Sequence, residues 1–209
     1  MRALIERMNR FLDMPLGLWP RGFLLLALLL LLPSYLFSLY DMTMFAPQYP
    51  EGLRLHIYSY KLDGGHDGQD VKEINVLNHY IGMKDLDTAA FTEFNWIPFV
   101  VGALGLLFLR TAVMGKMAHL VDTVVLYLYF GLFALWSFAF KMYSFGHNLS
   151  PTASVKVPGF TPPLFGYKKI ANFEVYSYPG PGSYALAAVA VVLAVAMLLA
   201  WRQARARTA

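Results

Sequence analysis

Cysteine is absent from all 209 residues. Its absence excludes disulfides, thiolate zinc sites, iron–sulfur clusters, c-type haem attachment and any cysteine-ligated copper centre. Charge is scarce as well: Asp, Glu, Lys and Arg together make up 14% of the chain, against about 25% in an ordinary soluble domain. The net charge of +4 is not gathered into one basic patch, so nucleic-acid binding is not indicated. No nucleophile–base pair, phosphate-cradling glycine loop or HExxH motif occurs, and a non-catalytic role is expected.

What is abundant is apolar. Hydrophobic residues form 57% of the chain, and they are gathered into four runs at residues 23–40, 97–114, 119–140 and 183–201. A helix rising ~1.5 Å per residue needs about 20 residues to cross ~30 Å of hydrocarbon, and each run has the required length. The expected fold is an all-α integral membrane protein with four transmembrane helices and a small α+β extracytoplasmic region formed by two loops. The first run follows Arg2, Arg7 and Arg10 but exits through Leu39-Tyr40-Asp41-Met42. No small-x-small cleavage pair stands there, so an uncleaved anchor is expected rather than a signal peptide.

Orientation follows from lysine and arginine. Residues 1–22 carry Arg2, Arg7, Arg10 and Arg21, the turn at 115–118 carries Lys116, and residues 202–209 carry Arg202, Arg205 and Arg207. The long segments 41–96 and 141–182 are sparser in them, so the positive-inside rule puts both termini in the cytoplasm and both segments outside. Trp19, Tyr40, Trp96, Tyr143, Tyr184 and Trp201 stand near the expected interfaces, as an aromatic belt does. Residues 1–22 place Leu4, Ile5, Met8, Phe11 and Leu12 at helical spacing, predicting an amphipathic helix on the cytoplasmic leaflet.

The outer segments have their own patterns. Residues 53–60 alternate apolar and polar, predicting a strand. Residues 63–70 read as a turn, and 71–86 as a helix with Ile74, Leu77, Asn78 and Ile81 on one stripe. Asp87 and Thr88 then cap a short helix leading into the second span. The turn resembles the start of a calcium loop, but Gly65 and Ile74 occupy positions where ligands are required. In 141–182 the prolines at 151, 158, 162, 163, 179 and 181 forbid a long helix and predict an extended, packed segment. In the fourth run Ser183, Ala187, Ala190 and Ala194 form a small-residue face suited to close helix contact.

Two groups of side chains are candidates for chemistry. Arg110 and Asp122 lie six positions either side of Lys116, at equal depth in two antiparallel helices, roughly 9 Å from the turn. Pairing is the inexpensive way to keep both in lipid, so a structural ion pair clasping the hairpin is expected, with a proton or substrate relay as the alternative. On the outer side stand His56, His79, Met83 and His147, with Met42 and Met44 just beyond the first run. His79 and Met83 are four apart, hence on one face of the expected helix. Imidazole and thioether without thiolate is a ligand set that copper favours. For each histidine singly, the alternative is a hydrogen-bonded loop residue, and methionines in an apolar protein are commonly packing residues. A b-type haem is not expected, because His119 stands alone at the cytoplasmic end.

Two stretches carry a family resemblance: residues 49–83, YPEGLRLHIYSYKLDGGHDGQDVKEINVLNHYIGM, and 146–184, GHNLSPTASVKVPGFTPPLFGYKKIANFEVYSYPGPGSY. The strings LNHYIGM and GHNL…FTPP…ANF…SYPG resemble the NosB-type polytopic membrane proteins of bacterial nitrous oxide reductase gene clusters. The resemblance implies a bacterial inner-membrane protein that serves a periplasmic copper enzyme, with nitrous oxide reductase as the partner. It carries over no catalytic residues. A non-catalytic accessory or anchoring subunit is therefore expected, acting in docking, copper loading or electron delivery. The alternatives are a component of a transporter or permease complex, and a quinol-linked membrane redox subunit.

Overall fold

The computed structural model describes residues 1–170 and 172–208, apart from the side chains of Ala3, Leu4, Arg207 and Thr208; Leu4, expected on the apolar face of the first helix, therefore has its side chain outside the described set. The helices are α1 (Arg2–Leu12), α2 (Leu18–Leu30), α3 (Pro33–Leu36), α4 (Gln69–Ile81), α5 (Glu93–Met114), α6 (Met117–His147) and α7 (Pro181–Thr208). The strands are β1 (Tyr40–Ala46), β2 (Tyr49–Ile57), β3 (Leu62–Gly64), β4 (Gly166–Ile170) and β5 (Phe173–Pro179). The chain divides into two compact units. A helical unit holds Met1–Pro33, Phe99–Leu132 and Ala185–Ala209, and a sheet unit holds Ser34–Pro98 and Phe133–Tyr184.

Among the described residues, four helical stretches are long and apolar enough to cross a membrane: Leu18–Leu36, Glu93–Met114, Met117–His147 and Pro181–Ala206. Their mean hydropathies lie between 1.5 and 2.5. The first ends earlier than expected. Pro33 cannot donate to the α2 ladder, so the helix breaks and restarts as α3. Tyr40, expected inside the run, opens a strand instead. The third runs longer than expected, because 141–147 remain helical.

In the helical unit, Leu24, Ala27, Val101, Leu104, Phe108, Leu120, Tyr127, Val189, Leu193 and Ala196 are buried. Large apolar side chains also face outward, with Leu29 61%, Leu106 71% and Leu132 70% exposed. Water would disfavour such a surface, whereas hydrocarbon suits it and leaves helices as the natural way to satisfy the backbone. The buried stripe of α7 runs through Val189, Leu193, Ala196, Ala200 and Ala204. Of the small residues expected to share one face, Ala187 and Ala194 are exposed, whereas Ser183 and Ala190 are half-buried. In the tight turn between α5 and α6, Gly115 adopts φ 62°, and a Cβ there would collide with the Arg21 guanidinium. This position therefore requires glycine. Leu16 N–H donates to Gly115 O at 2.7 Å, and Met117 N–H donates to Met14 O at 3.0 Å.

The sheet unit is built from both long segments. Its sheet has strand order β3-β2-β1-β5-β4, antiparallel throughout. The first segment supplies β1, β2 and β3, and the second supplies β4 and β5. One strand was expected, roughly at β2. β1 was hidden because its first residue closes the first apolar run, and β4 and β5 because the surrounding prolines mask the alternation of Val175, Ser177 and Pro179. The inner face carries Tyr40, Met42, Leu53, Leu55, Ile57 and Val175, packed against Ile74 and Leu77 of α4, with Phe91, Phe94, Met142 and Phe145 completing the core. The Asp87 carboxylate accepts from Ala89 N–H at 3.2 Å, capping the short turn Thr88–Ala90 as expected.

Candidate functional site

The core of the sheet unit is not completely filled. A cavity of about 60 Å³ lies between the inner face of the sheet, α4 and the C-terminal end of α6. Roughly 10–15 Å³ suffices for one water, so this is space for several. Its walls are apolar, including Leu55, Ile57, Ile74, Phe145, Phe160 and Val175. Two features depart from an ordinary core. All four methionines of the sheet unit, Met42, Met44, Met83 and Met142, line this one space. Asn78 lines it too, is 2% exposed, and its Nδ2 has no hydrogen-bond partner among the described residues. Such a group forfeits about 1–3 kcal/mol and calls for a physical reason.

Local chemistry explains how these side chains arrive. In β1, residues 40, 42 and 44 share the inner face by strand alternation. Met83 arrives through the end of α4. Gly82 adopts φ 75°, its N–H donates to His79 O at 3.2 Å, and Met83 N–H donates to Asn78 O at 2.9 Å. This pattern is the Schellman ending. A Cβ on Gly82 would lie 2.9 Å from the backbone of Ser150. The helix expected over 71–86 therefore stops at Ile81, which corrects the pairing of His79 with Met83: His79 is exposed on α4, whereas Met83 packs against the core.

The other candidate ligands are likewise separate. His56 lies on the outer face of β2, with Nδ1 2.7 Å from Asp41 Oδ1 and its side chain 38% exposed. His147 ends α6, stacks on Tyr143 with ring centroids 3.8 Å apart, and places Nδ1 2.9 Å from Tyr143 O. No hydrogen bond, ion pair or ring contact among the described residues joins any two of His56, His79, Met83 and His147. No group of three His, Asp or Glu side chains among the described residues is placed to hold a metal ion. Met83 alone of the four lines the cavity.

The expected ion pair of Arg110 and Asp122 is not among the ion pairs of the described residues, and both side chains are exposed. The residues that meet are Thr111 and Thr123, fully buried, with hydroxyls 2.8 Å apart. Thr123 also donates to His119 O at 2.6 Å. Equal spacing about the turn located the correct level of the hairpin, but the facing pair is one residue further along each helix. Near the helix ends, long or charged side chains reach the interface instead.

The outward face of the sheet orders polar and aromatic groups by register. Asp63, His56, Asp41 and Tyr178 are neighbours across β3, β2, β1 and β5. Tyr176 and Tyr167 pair across β5 and β4. Lys61 Nζ donates to Asp63 Oδ2 at 2.6 Å, and this bond raises the lysine and lowers the carboxyl from their ordinary values. Beside this face, His66 and Asp67 hold φ values of 51° and 55°, a conformation that bulky residues resist. Asp70 fastens the turn: Arg54 N–H donates to Oδ2 at 2.9 Å, and His66 Nδ1 lies 2.8 Å from Oδ1. Burial pushes the Asp70 carboxyl up, but the Arg54 N–H and the His66 imidazole outweigh it and hold the group below its ordinary value. Elsewhere in the sheet unit, Lys141 Nζ stands 3.3 Å from Glu93 Oε2 and donates to Ala90 O at 3.0 Å, while Ser137 donates to Glu93 Oε1 at 2.9 Å.

No protein-family model, no curated protein and no solved structure matches this chain.

Proposed function

We propose that the chain is a non-catalytic membrane subunit that holds a folded extracytoplasmic unit at the surface of a bacterial inner membrane, with both termini in the cytoplasm, and that it serves a periplasmic copper enzyme, nitrous oxide reductase. The observation that carries this reading is the single sheet drawn from both inter-helix segments, in the order β3-β2-β1-β5-β4. Segments that merely connected spans would have no reason to share one hydrogen-bonded ladder and one core. A unit built this way is a surface for docking, fastened to helices apolar enough for a bilayer. The sparse lysine and arginine of these segments support their outside placement. The outward face, with Tyr167, Tyr176 and Tyr178 among charged neighbours, has the aromatic and polar mixture typical of protein contacts.

The test is affinity purification of the full chain in mild detergent from cells producing nitrous oxide reductase. The reading expects that enzyme to co-elute, identified by its activity and copper content, and to be lost from a Tyr167→Ala/Tyr178→Ala variant. Recovery of the chain without the enzyme, in several detergents and with the enzyme present in the same cells, overturns the reading.

A further inference from the structure

The geometry points to a metal site that is not the histidine set the sequence suggests. We propose that the cavity of the sheet unit binds one soft monovalent cation, copper(I), through the thioethers of Met42, Met44, Met83 and Met142 beside the amide of Asn78. The proposal rests on the accessory-subunit reading for its purpose, but not for its chemistry.

The chain has ten methionines. The four inside the sheet unit come from three places in the sequence, β1, the turn after α4 and the C-terminal end of α6, and all four line one space. Methionine used as a gap-filler takes whatever position needs filling. Convergence of every thioether in the unit on a cavity that remains unfilled is not what gap-filling produces. A thioether is a neutral, soft donor. It suits copper(I) and silver(I), whereas calcium and magnesium require oxygen ligands and zinc favours imidazole, carboxylate or thiolate. No carboxylate and no imidazole is among the lining residues, so a divalent ion would carry two uncompensated charges into an apolar enclosure. A weakly hydrated monovalent ion, covalently bound to several sulfurs, meets the smallest penalty.

Asn78 is the second, independent sign. Its side chain is buried in the cavity wall, and Nδ2 has no partner among the described residues. A core that only needed filling would place leucine there. A rotation of the amide by 180° exchanges nitrogen and oxygen without changing its shape. The oxygen then offers a dipole, or a weak fifth ligand, to a cation held by the sulfurs. Aromatic walls at Phe91, Phe145 and Phe160 offer no oxygen donor that would compete with the sulfurs for copper(I).

The experiment uses the full-length protein in detergent micelles, titrated anaerobically with copper(I) against a chromophoric chelator under ascorbate, and separately with silver(I). One equivalent of either ion is expected to bind. Met42→Leu and Met142→Leu, which preserve volume, are each expected to weaken binding at least tenfold, and the double variant to abolish it. His56→Ala, His79→Ala and His147→Ala are expected to bind as the unaltered chain does. X-ray absorption of the copper(I) form should show sulfur scatterers and no imidazole. Near-ultraviolet circular dichroism confirms that each variant is folded. Binding that is absent, or that survives in the folded double methionine variant, overturns the site. A chain that binds no copper(I) yet still retains the copper enzyme would remove the site and leave the accessory reading standing. A chain that binds the ion but never the enzyme would do the reverse.

Discussion

Replacement of Asn78 by leucine should make the sheet unit more stable. Asn78 is 2% exposed, and Nδ2 finds no acceptor among the described residues. An unpaired buried donor of this kind costs about 1–3 kcal/mol; leucine keeps the branched shape of asparagine, and the cavity of about 60 Å³ takes up its greater bulk with added apolar contacts. The backbone role of Asn78 is unaffected, because its carbonyl still accepts from Met83 N–H. The expected gain is about 1–3 kcal/mol. For amides that exchange by opening of the whole unit, this corresponds to a slowing of roughly 5–150-fold. Hydrogen–deuterium exchange of β1 and β2 in micelles measures it directly, with α7 as an internal reference. The same variant should bind copper(I) more weakly, a gain in stability at the expense of function. Unchanged or faster exchange in β1 and β2 would show that the Asn78 amide is satisfied in solution, and would refute the reasoning.

Asp70→Ala should cost the sheet unit about 2–3 kcal/mol at neutral pH, since charge-assisted bonds to Arg54 N–H and His66 are lost together. Because the native carboxyl is held below its ordinary value, its contribution is complete above roughly pH 4 and is lost as pH falls through the native-state value; acid titration of stability should lose that part of its slope in the variant. A double-mutant cycle on Thr111→Val and Thr123→Val should give a coupling of about 0.5–1.5 kcal/mol, whereas a cycle on Arg110→Ala and Asp122→Ala should give a value near zero; thermal unfolding in micelles reads both. Lys141→Ala leaves Glu93, whose side chain is 15% exposed, without its cation, and about 1–3 kcal/mol should be lost, with rescue by Glu93→Gln in the same assay.

The four apolar helices were legible because a span is announced by length and composition alone, and no tertiary partner is needed to see it. Their ends were less so. Pro33 ends α2 early, while α6 continues through Lys141 to His147 because its amphipathic last turns pack Met142 and Phe145 into the sheet unit. β2 and α4 stood out by their periods. β1, β4 and β5 did not, since register in a sheet assembled from two distant segments is set by pairing rather than by local pattern. For the candidate site, the chemistry was more visible than the geometry. Met83 and the general idea of thioether ligation came from residue types. The separation of His79 from Met83 depended on Gly82, a glycine whose left-handed φ ends the helix two residues before the methionine. Met142 was missed because residues 141–147 were expected in the extended segment, whereas they continue α6. Asn78 could be read, as a polar residue on the apolar stripe of Ile74, Leu77 and Ile81.

The side of the membrane that the sheet unit occupies is measured most directly by cysteine labelling, for which a chain without native cysteine is well suited. Single variants Lys168→Cys, on β4, and Lys116→Cys, in the turn between α5 and α6, are treated with a membrane-impermeant maleimide on intact spheroplasts. Lys168→Cys is expected to react at once and Lys116→Cys only after lysis. The opposite order would put the methionine-lined unit in the cytosol and contradict service to a periplasmic copper enzyme.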